Sequence, residues 1–430
     1  MNLNLENQIK NELNDLKEND LIRTIDDLRF ISSTKAIDKD NKEFLIFGTN
    51  NYLGLSHHPK IIKASQEKAV YGTGSTGSRL TTGASFEARE LEENISKFKS
   101  TESTLIFNTG YMTNLGVIYA LTKENDIIFS DQLNHASIID GIKISKAEVK
   151  IYKHKDTEEL EKLIKETIST KTKQENKKNL ISTKKINEDH KETIQNHKNK
   201  SLGNLFIISD GVFSMDGDIA PLPELAELAK KYNCCLIIDD AHATGVIGKT
   251  GKGTIEYYKD KTGKDLSEYV DLQIGTLSKA LASEGGFVTG KKIYIDYLIN
   301  KSRPFIFSTA LSPSTIASAN TALNLLKENH EEYLKKLNEN TKLMRDLLKE
   351  GGLNVIEGET PIIPILIGEA RIANEFSRKL EEKGILVSAI RPPSVPKGES
   401  RLRLTIIASH TKEEIIFTAN TIIEIWKELK

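Results

Sequence analysis

The chain has 430 residues, and its 60 Lys and Arg against 61 Asp and Glu leave a formal net charge of -1. That length suits a large domain with smaller appendages. The near-neutral balance excludes binding to nucleic acid or an anionic membrane through the overall field, and no apolar run of about 18 or more residues is present to span a membrane.

The opening "MNLNLENQIKNELNDLKEND" carries apolar residues at near-helical spacing among charges. It predicts an amphipathic helix and lacks the apolar core of a signal peptide. Residues 1–57 are expected to form this helix and an arm, 58–310 a large domain, and 311–430 a smaller C-terminal α+β domain. In the large domain, short apolar runs such as "TLIFNTG", "DIIFSD", "NLFIISDG", "CLIIDDAH", "DLQIGTL" and "GGFVTG" alternate with helical stretches such as "YMTNLGVIYALTK" and "LPELAELAKKY". Strands apolar throughout, separated by helices, predict an α/β fold with a mostly parallel sheet covered on both faces. Residues 171–200, rich in Lys, Asn, Glu and Thr, read as an exposed insertion, partly disordered or helical. Cys234 and Cys235, adjacent at the head of one strand, read as small buried hydrophobes of a reducing cytoplasm. Beyond residue 310 come a long helix over 314–348, the strand "PIIPILIG", a helix near 370–384, the loop "RPPSVPKGES", the strand "RLRLTIIASH" and a last helix.

In sheets of this kind ligands gather at the carboxyl ends of the strands, where the polar residues of these runs fall. Lys279, in "QIGTLSKALASEGG", follows one strand end among residues of little bulk, Gly275, Thr276, Ser278, Ser283, Gly285 and Gly286. A lysine beside a phosphate-sized hollow is either a point-charge anion ligand or the amine that captures pyridoxal phosphate as a Schiff base. Asp239 closes the strand "CLIID", and His242 follows it. A carboxylate there is a cap, one ligand of a metal set with Asp240 and His242, or the partner of a protonated pyridine nitrogen. The metal reading has no second His or Cys cluster at ligand spacing to support it. Gly110 and Tyr111 open a helix whose amides favour a phosphate. His135, at another strand-to-helix turn, offers a ring to stack on an aromatic cofactor, and Ser214 a hydroxyl for a pyridine 3-oxygen.

The stretches "NNYLGLSHHP", "GTGSTGSRLTTGA", "NHASIIDG", "GVFSMDGDIAPLPEL", "IIDDAHATGVIGKTGKGT", "GTLSKALASEGG" and "FIFSTALSP" resemble the α-oxoamine synthases, pyridoxal-phosphate enzymes of the aspartate aminotransferase fold type, from about residue 44 to 410. The family pattern lacks the lysine-rich insertion. The resemblance implies that Lys279 is the Schiff-base lysine, Asp239 the pyridinium partner and His135 the stacking ring. It further implies that His242 and Ser214 lie near the 3-oxygen, that Thr276 binds phosphate, and that Thr309 reaches the phosphate of a neighbouring subunit's cofactor in a homodimer with shared sites.

Within the family, "AIRPPSVPKGESRLRLTIIASH" resembles most the branch that joins L-alanine to a pimeloyl thioester of coenzyme A or a carrier protein, with Ser394 where threonine is commoner. Arg403 is then the expected fork for the alanine carboxylate, helped by Asn50. Arg391 is expected as a second cation, and Arg23 to face the far carboxylate of the acyl chain. The alternatives are a branch that acylates glycine with acetyl-CoA, and a catalytically inactive partner subunit of the same fold.

Overall fold

The computed structural model describes residues 3–186 and 203–429. Its centre is a seven-stranded sheet in the order Ser103–Phe107, Gly286–Gly290, Leu272–Thr276, Cys234–Asp239, Leu205–Asp210, Ile127–Asp131 and Glu148–Tyr152. Gly286–Gly290 runs antiparallel to both its neighbours, and the other adjacent pairs are parallel. The exception has a local cause. A parallel return needs a crossover of a dozen or more residues, and residues 277–285 are too few, so the chain turns straight back. Lys279 lies in that turn.

Both faces of the sheet are covered, which is why its strands are apolar throughout. Along Leu205–Asp210, Leu205 and Ile207 pack with Leu160, Ile164, Leu222 and Leu225, while Phe206 and Ile208 pack with Ile118, Ile138 and Ile142. Each fully buried Leu or Ile of this kind contributes about 1.5–3 kcal/mol. The covering helices have clear local stops and starts. Leu222–Tyr232 ends at Asn233 in the left-handed region (φ 52), and the next strand begins at Cys234. Gly110–Leu121 begins at Thr109, whose Oγ1 accepts the Met112 N–H at 3.0 Å.

The helix expected over 314–348 spans Pro313–Glu350, with one non-helical residue, Asn329. Ile316, Leu323 and Leu326 before that residue and Leu334 and Leu337 after it pack in one core, and Met344 and Leu348 pack in another. The helix stays in the first core past the kink, through Leu337, and enters the next only at Met344. That second core joins Phe376, Leu380, Ile415 and Ile422 to a three-stranded antiparallel sheet of Ile362–Gly368, Ser400–Thr405 and Ser388–Ile390. The N-terminal arm is tied to the same end of the chain, because Glu43–Ile46 runs parallel to Ile385–Leu386. The helix Leu3–Glu18 buries none of its residues. The helix Thr157–Ile186 runs into the expected insertion, whose remainder, 187–200, lies outside the described residues. Among the described residues, no helix is long and apolar enough to cross a membrane.

Candidate active site

Three neighbouring strands end side by side in Asp210, Asp239 and Thr276, with Asp210 and Asp239 directly paired in register. Parallel register brings the strand ends together, and the turn after Thr276 adds Lys279. Its Nζ lies 2.7 Å from His242 Nε2, and His242 Nδ1 lies 2.6 Å from Tyr52 Oη. The row continues, since Tyr52 Oη donates to Asn50 Oδ1 at 3.4 Å and Arg403 Nη2 donates to the same oxygen at 3.1 Å. Burial lowers the Lys279 amine to about 8; Asp239 pulls it up, and Arg403 pushes it further down. Burial, with Lys279 and Arg403 nearby, holds His242 well below the usual histidine range.

Asp239 is held by two donors, Asn114 Nδ2 at 2.6 Å and the Ala241 N–H at 2.9 Å. Asn114 Nδ2 also donates to Ser137 Oγ at 2.9 Å, and Ser137 Oγ lies 2.7 Å from His135 Nδ1. Because Nδ1 accepts the Ser137 N–H as well, the neutral His135 ring carries its proton on Nε2. Burial lowers the His135 pKa against the upward pull of Asp239, and Lys279 lowers it further. The His135 N–H donates to Asp210 Oδ2 at 2.6 Å, and burial together with Asp239 raises the Asp210 carboxyl well above the usual range.

Asp240 faces a different set of partners. It takes Lys99 Nζ at 3.1 Å, in an ion pair whose side chains are 1% and 0% exposed, and the Thr254 hydroxyl at 2.5 Å. It ties down the loop after Asp239.

Gly110 and Tyr111 are the first residues of their helix, so their amides have no intrahelical acceptor. A Cβ on Gly286 would lie 2.6 Å from Gly110 N, so only glycine lets the neighbouring strand approach that turn. The Thr276 and Ser278 hydroxyls, 2.8 Å apart, lie beside it, with Thr276 Oγ1 3.4 Å from where a Gly110 Cβ would stand. The Tyr111 side chain turns outward to bond Asp140. Ser214 uses its carbonyl, which accepts Arg403 Nε–H at 2.6 Å. Thr309 is exposed, and its carbonyl accepts Asn108 Nδ2 at 2.6 Å.

Arg23 and Arg391 line one cleft of about 710 Å³ with Gly48, Thr49 and Ser388. Ser388 is the register partner of Arg403, so the cleft opens beside the strand that carries the fork. Ser394 is exposed and lies outside that lining.

The structure thus brings together Lys279, Asp239, His135, His242, Asn50 and Arg403. It adds Tyr52, Asn114 and Asp210, which sequence reasoning passed over. Asp210 ends an apolar strand as Asp239 does, and that signal was available. Asn114 is a polar residue on a buried helix face, and nothing in its neighbours marks it as a partner of Asp239.

The model of the family described as aminotransferase class I and II matches residues 42–422. The chain belongs to that family. The 8-amino-7-oxononanoate synthase of Lysinibacillus sphaericus is 42% identical over 428 residues, 99% of each chain. Among solved structures, a serine palmitoyltransferase from S. paucimobilis with a bound PLP–myriocin aldimine has a TM-score of 0.84 at 27% identity, covering 100% of this chain and 99% of that one. The 8-amino-7-oxononanoate synthase of Francisella tularensis has a TM-score of 0.68 at 27% identity, covering 90% and 98%. The fold is that of the pyridoxal-phosphate aminotransferases, and the resemblance to the α-oxoamine synthases holds along nearly the whole chain.

Proposed function

We propose that this enzyme is an 8-amino-7-oxononanoate synthase, joining L-alanine to a pimeloyl thioester with loss of the alanine carboxyl as carbon dioxide. The observation that carries the reading is the placement of an amine, Lys279, beside a buried carboxyl, Asp239, at adjacent strand ends, with Arg403 linked to the amine through His242, Tyr52 and Asn50. The 42% identity with the Lysinibacillus sphaericus enzyme supports the choice of branch.

The residues fit pyridoxal 5'-phosphate. Asp239, fixed by two donors, would hold the ring nitrogen; His135, the ring face; Ser214 and His242, the region of the 3-oxygen. The amides of Gly110 and Tyr111 and the hydroxyls of Thr276 and Ser278 would hold the phosphate, kept clear by the glycine at 286. When bound, the cofactor supplies an aldehyde for the substrate amine and an electron-withdrawing ring that acidifies the α-carbon.

With its pKa lowered to about 8, the Lys279 amine is partly neutral near neutral pH and can take the α-proton. His242, neutral and fully buried, orients that amine without competing for the proton. Arg403 spends one N–H on each of Ser214, Thr405 and Asn50, which leaves a second N–H on each Nη for the alanine carboxylate. In the adjoining cleft Arg391 would supply a second cation near the substrate and Arg23 would face the far carboxylate of the acyl chain, with Ser394 as a further substrate contact. The exposed Tyr71, Phe86 and Phe307 suit a homodimer interface, through which Thr309 would reach the second site. A reducing, cytoplasmic setting suits the two free cysteines.

The test supplies alanine, glycine and serine separately with pimeloyl, acetyl, succinyl and palmitoyl thioesters and identifies each amino ketone by mass. Alanine with the pimeloyl donor is expected to dominate. Preference for glycine and acetyl-CoA would overturn the assignment.

A further inference from the structure

Val212 and Ile219 form an isolated antiparallel bridge, and the turn between them is gripped by elements from both domains. From the small domain, Arg403 Nε–H donates to the Ser214 carbonyl at 2.6 Å, Arg401 pairs with Asp216, and the Thr360 hydroxyl donates to the Gly217 carbonyl at 2.6 Å. From the large domain, His154 Nε2 lies 2.9 Å from Asp218, and its Nδ1 lies 3.0 Å from Asp131. Gly217 has φ +69, and a Cβ there would lie 2.8 Å from Ile362 Cβ. The tip of the turn is pressed against the small-domain sheet.

Arg401 and Arg403 stand two apart on the strand Ser400–Thr405, so their side chains leave the same face. Both reach this one turn. Lys279 follows a strand of the large sheet and Arg403 lies on the three-stranded one, so the turn is one of the contacts, with Asn50, that join the guanidinium to the side of the amine. The Arg401 side chain is 3% exposed and that of Asp216 20%, which makes the pair a mostly dry link. Asp216 pairs with Arg401, whereas Lys279 bonds His242 and Arg403 bonds Ser214, Thr405 and Asn50.

We propose that Asp216 is a positioning residue for amino-acid binding: through Arg401 it fixes the strand that presents Arg403 to the substrate carboxylate. This rests on Arg403 being the carboxylate fork. Losing the pair lets the strand shift against the turn, and a bidentate contact tolerates such a shift poorly. The affinity for alanine then falls while the acyl site and the cofactor site keep theirs.

The test compares holoenzyme carrying Asp216→Asn, Asp216→Glu and Arg403→Lys. Asp216→Asn is expected to raise KM for alanine about tenfold or more, with the dissociation constant measured by calorimetry moving in parallel. KM for the pimeloyl thioester, kcat and cofactor affinity are expected to stay within about threefold. Asp216→Glu, which keeps the charge, should recover most of the alanine affinity. An unchanged alanine KM in Asp216→Asn, with a raised one in Arg403→Lys, overturns the positioning role and leaves the fork intact. An unchanged alanine KM in Arg403→Lys overturns the fork itself. Equal losses for alanine and thioester would mark a general structural defect and also overturn the proposal. If Asp216→Asn does not fold, Arg401→Gln, which removes the charge, is measured in the same way, and an unchanged alanine KM there is again decisive against it.

Discussion

The Lys279 amine lies 2.7 Å from Nε2 of a histidine, His242, that burial keeps neutral. When Lys279 is protonated it can only donate, so Nε2 then accepts, Nδ1 carries the ring proton toward Tyr52 Oη, and the tyrosine hydrogen is free for Asn50 Oδ1. The Lys279 amine at one end and the Arg403 guanidinium at the other are therefore joined by one directional row.

The lowered pKa of Lys279 is visible without catalysis. Because burial stabilises the neutral amine, Lys279 in the apoenzyme should become reactive to an amine-acylating reagent with a midpoint near pH 8, where exposed lysines stay protonated to about pH 10.4. Site-resolved mass spectrometry across pH measures it. A midpoint above 10 would contradict the burial argument.

Lys279→Ala removes both the covalent anchor and the base. The variant is expected to bind cofactor non-covalently through the phosphate cradle and Asp239, while turnover falls by several orders of magnitude. Borohydride should leave cofactor mass attached to the parent chain and none to the variant. Cofactor mass retained on Lys279→Ala would place the anchor on another lysine.

Asp239→Asn keeps the shape of the side chain and removes its charge. Cofactor should still load, whereas exchange of the alanine α-proton with deuterated solvent should slow by at least about a hundredfold, a barrier rise of roughly 3 kcal/mol. Asn114→Ala, which deletes one of the two donors to Asp239, should give a smaller loss in the same assay. Exchange at the parental rate in Asp239→Asn would return that residue to a strand-end cap.

His154 is expected to contribute stability that is lost at alkaline pH. Burial alone would lower its pKa, but the hydrogen bonds to Asp131 and Asp218 outweigh burial and raise it to about 9. A raised folded-state pKa means stabilisation fully present below the unfolded value of about 6.5 and lost as pH climbs through 9. The parent's Tm should therefore fall between pH 7 and 10 more steeply than that of His154→Gln, as differential scanning calorimetry would show. Parallel slopes would sink the argument.

The sequence by itself determined the alternation of strands and helices, the covered sheet, and the placement of Asp239, His135 and Lys279 at or just beyond strand ends. These follow from short-range causes: apolar runs bury, glycines and caps stop them, and a parallel sheet collects its polar residues at one edge. It did not show that the strand after Lys279 reverses direction, although the shortness of residues 277–285 contains the reason. Only the tertiary structure decided which polar groups meet. Asn114 reaches Asp239 across 125 positions, Arg401 reaches Asp216 across 185, and Arg403 reaches Asn50 across 353. A hydrogen bond forms or fails over a few tenths of an ångström, and no local spacing encodes a distance set by how elements far apart in sequence pack on either side of one turn.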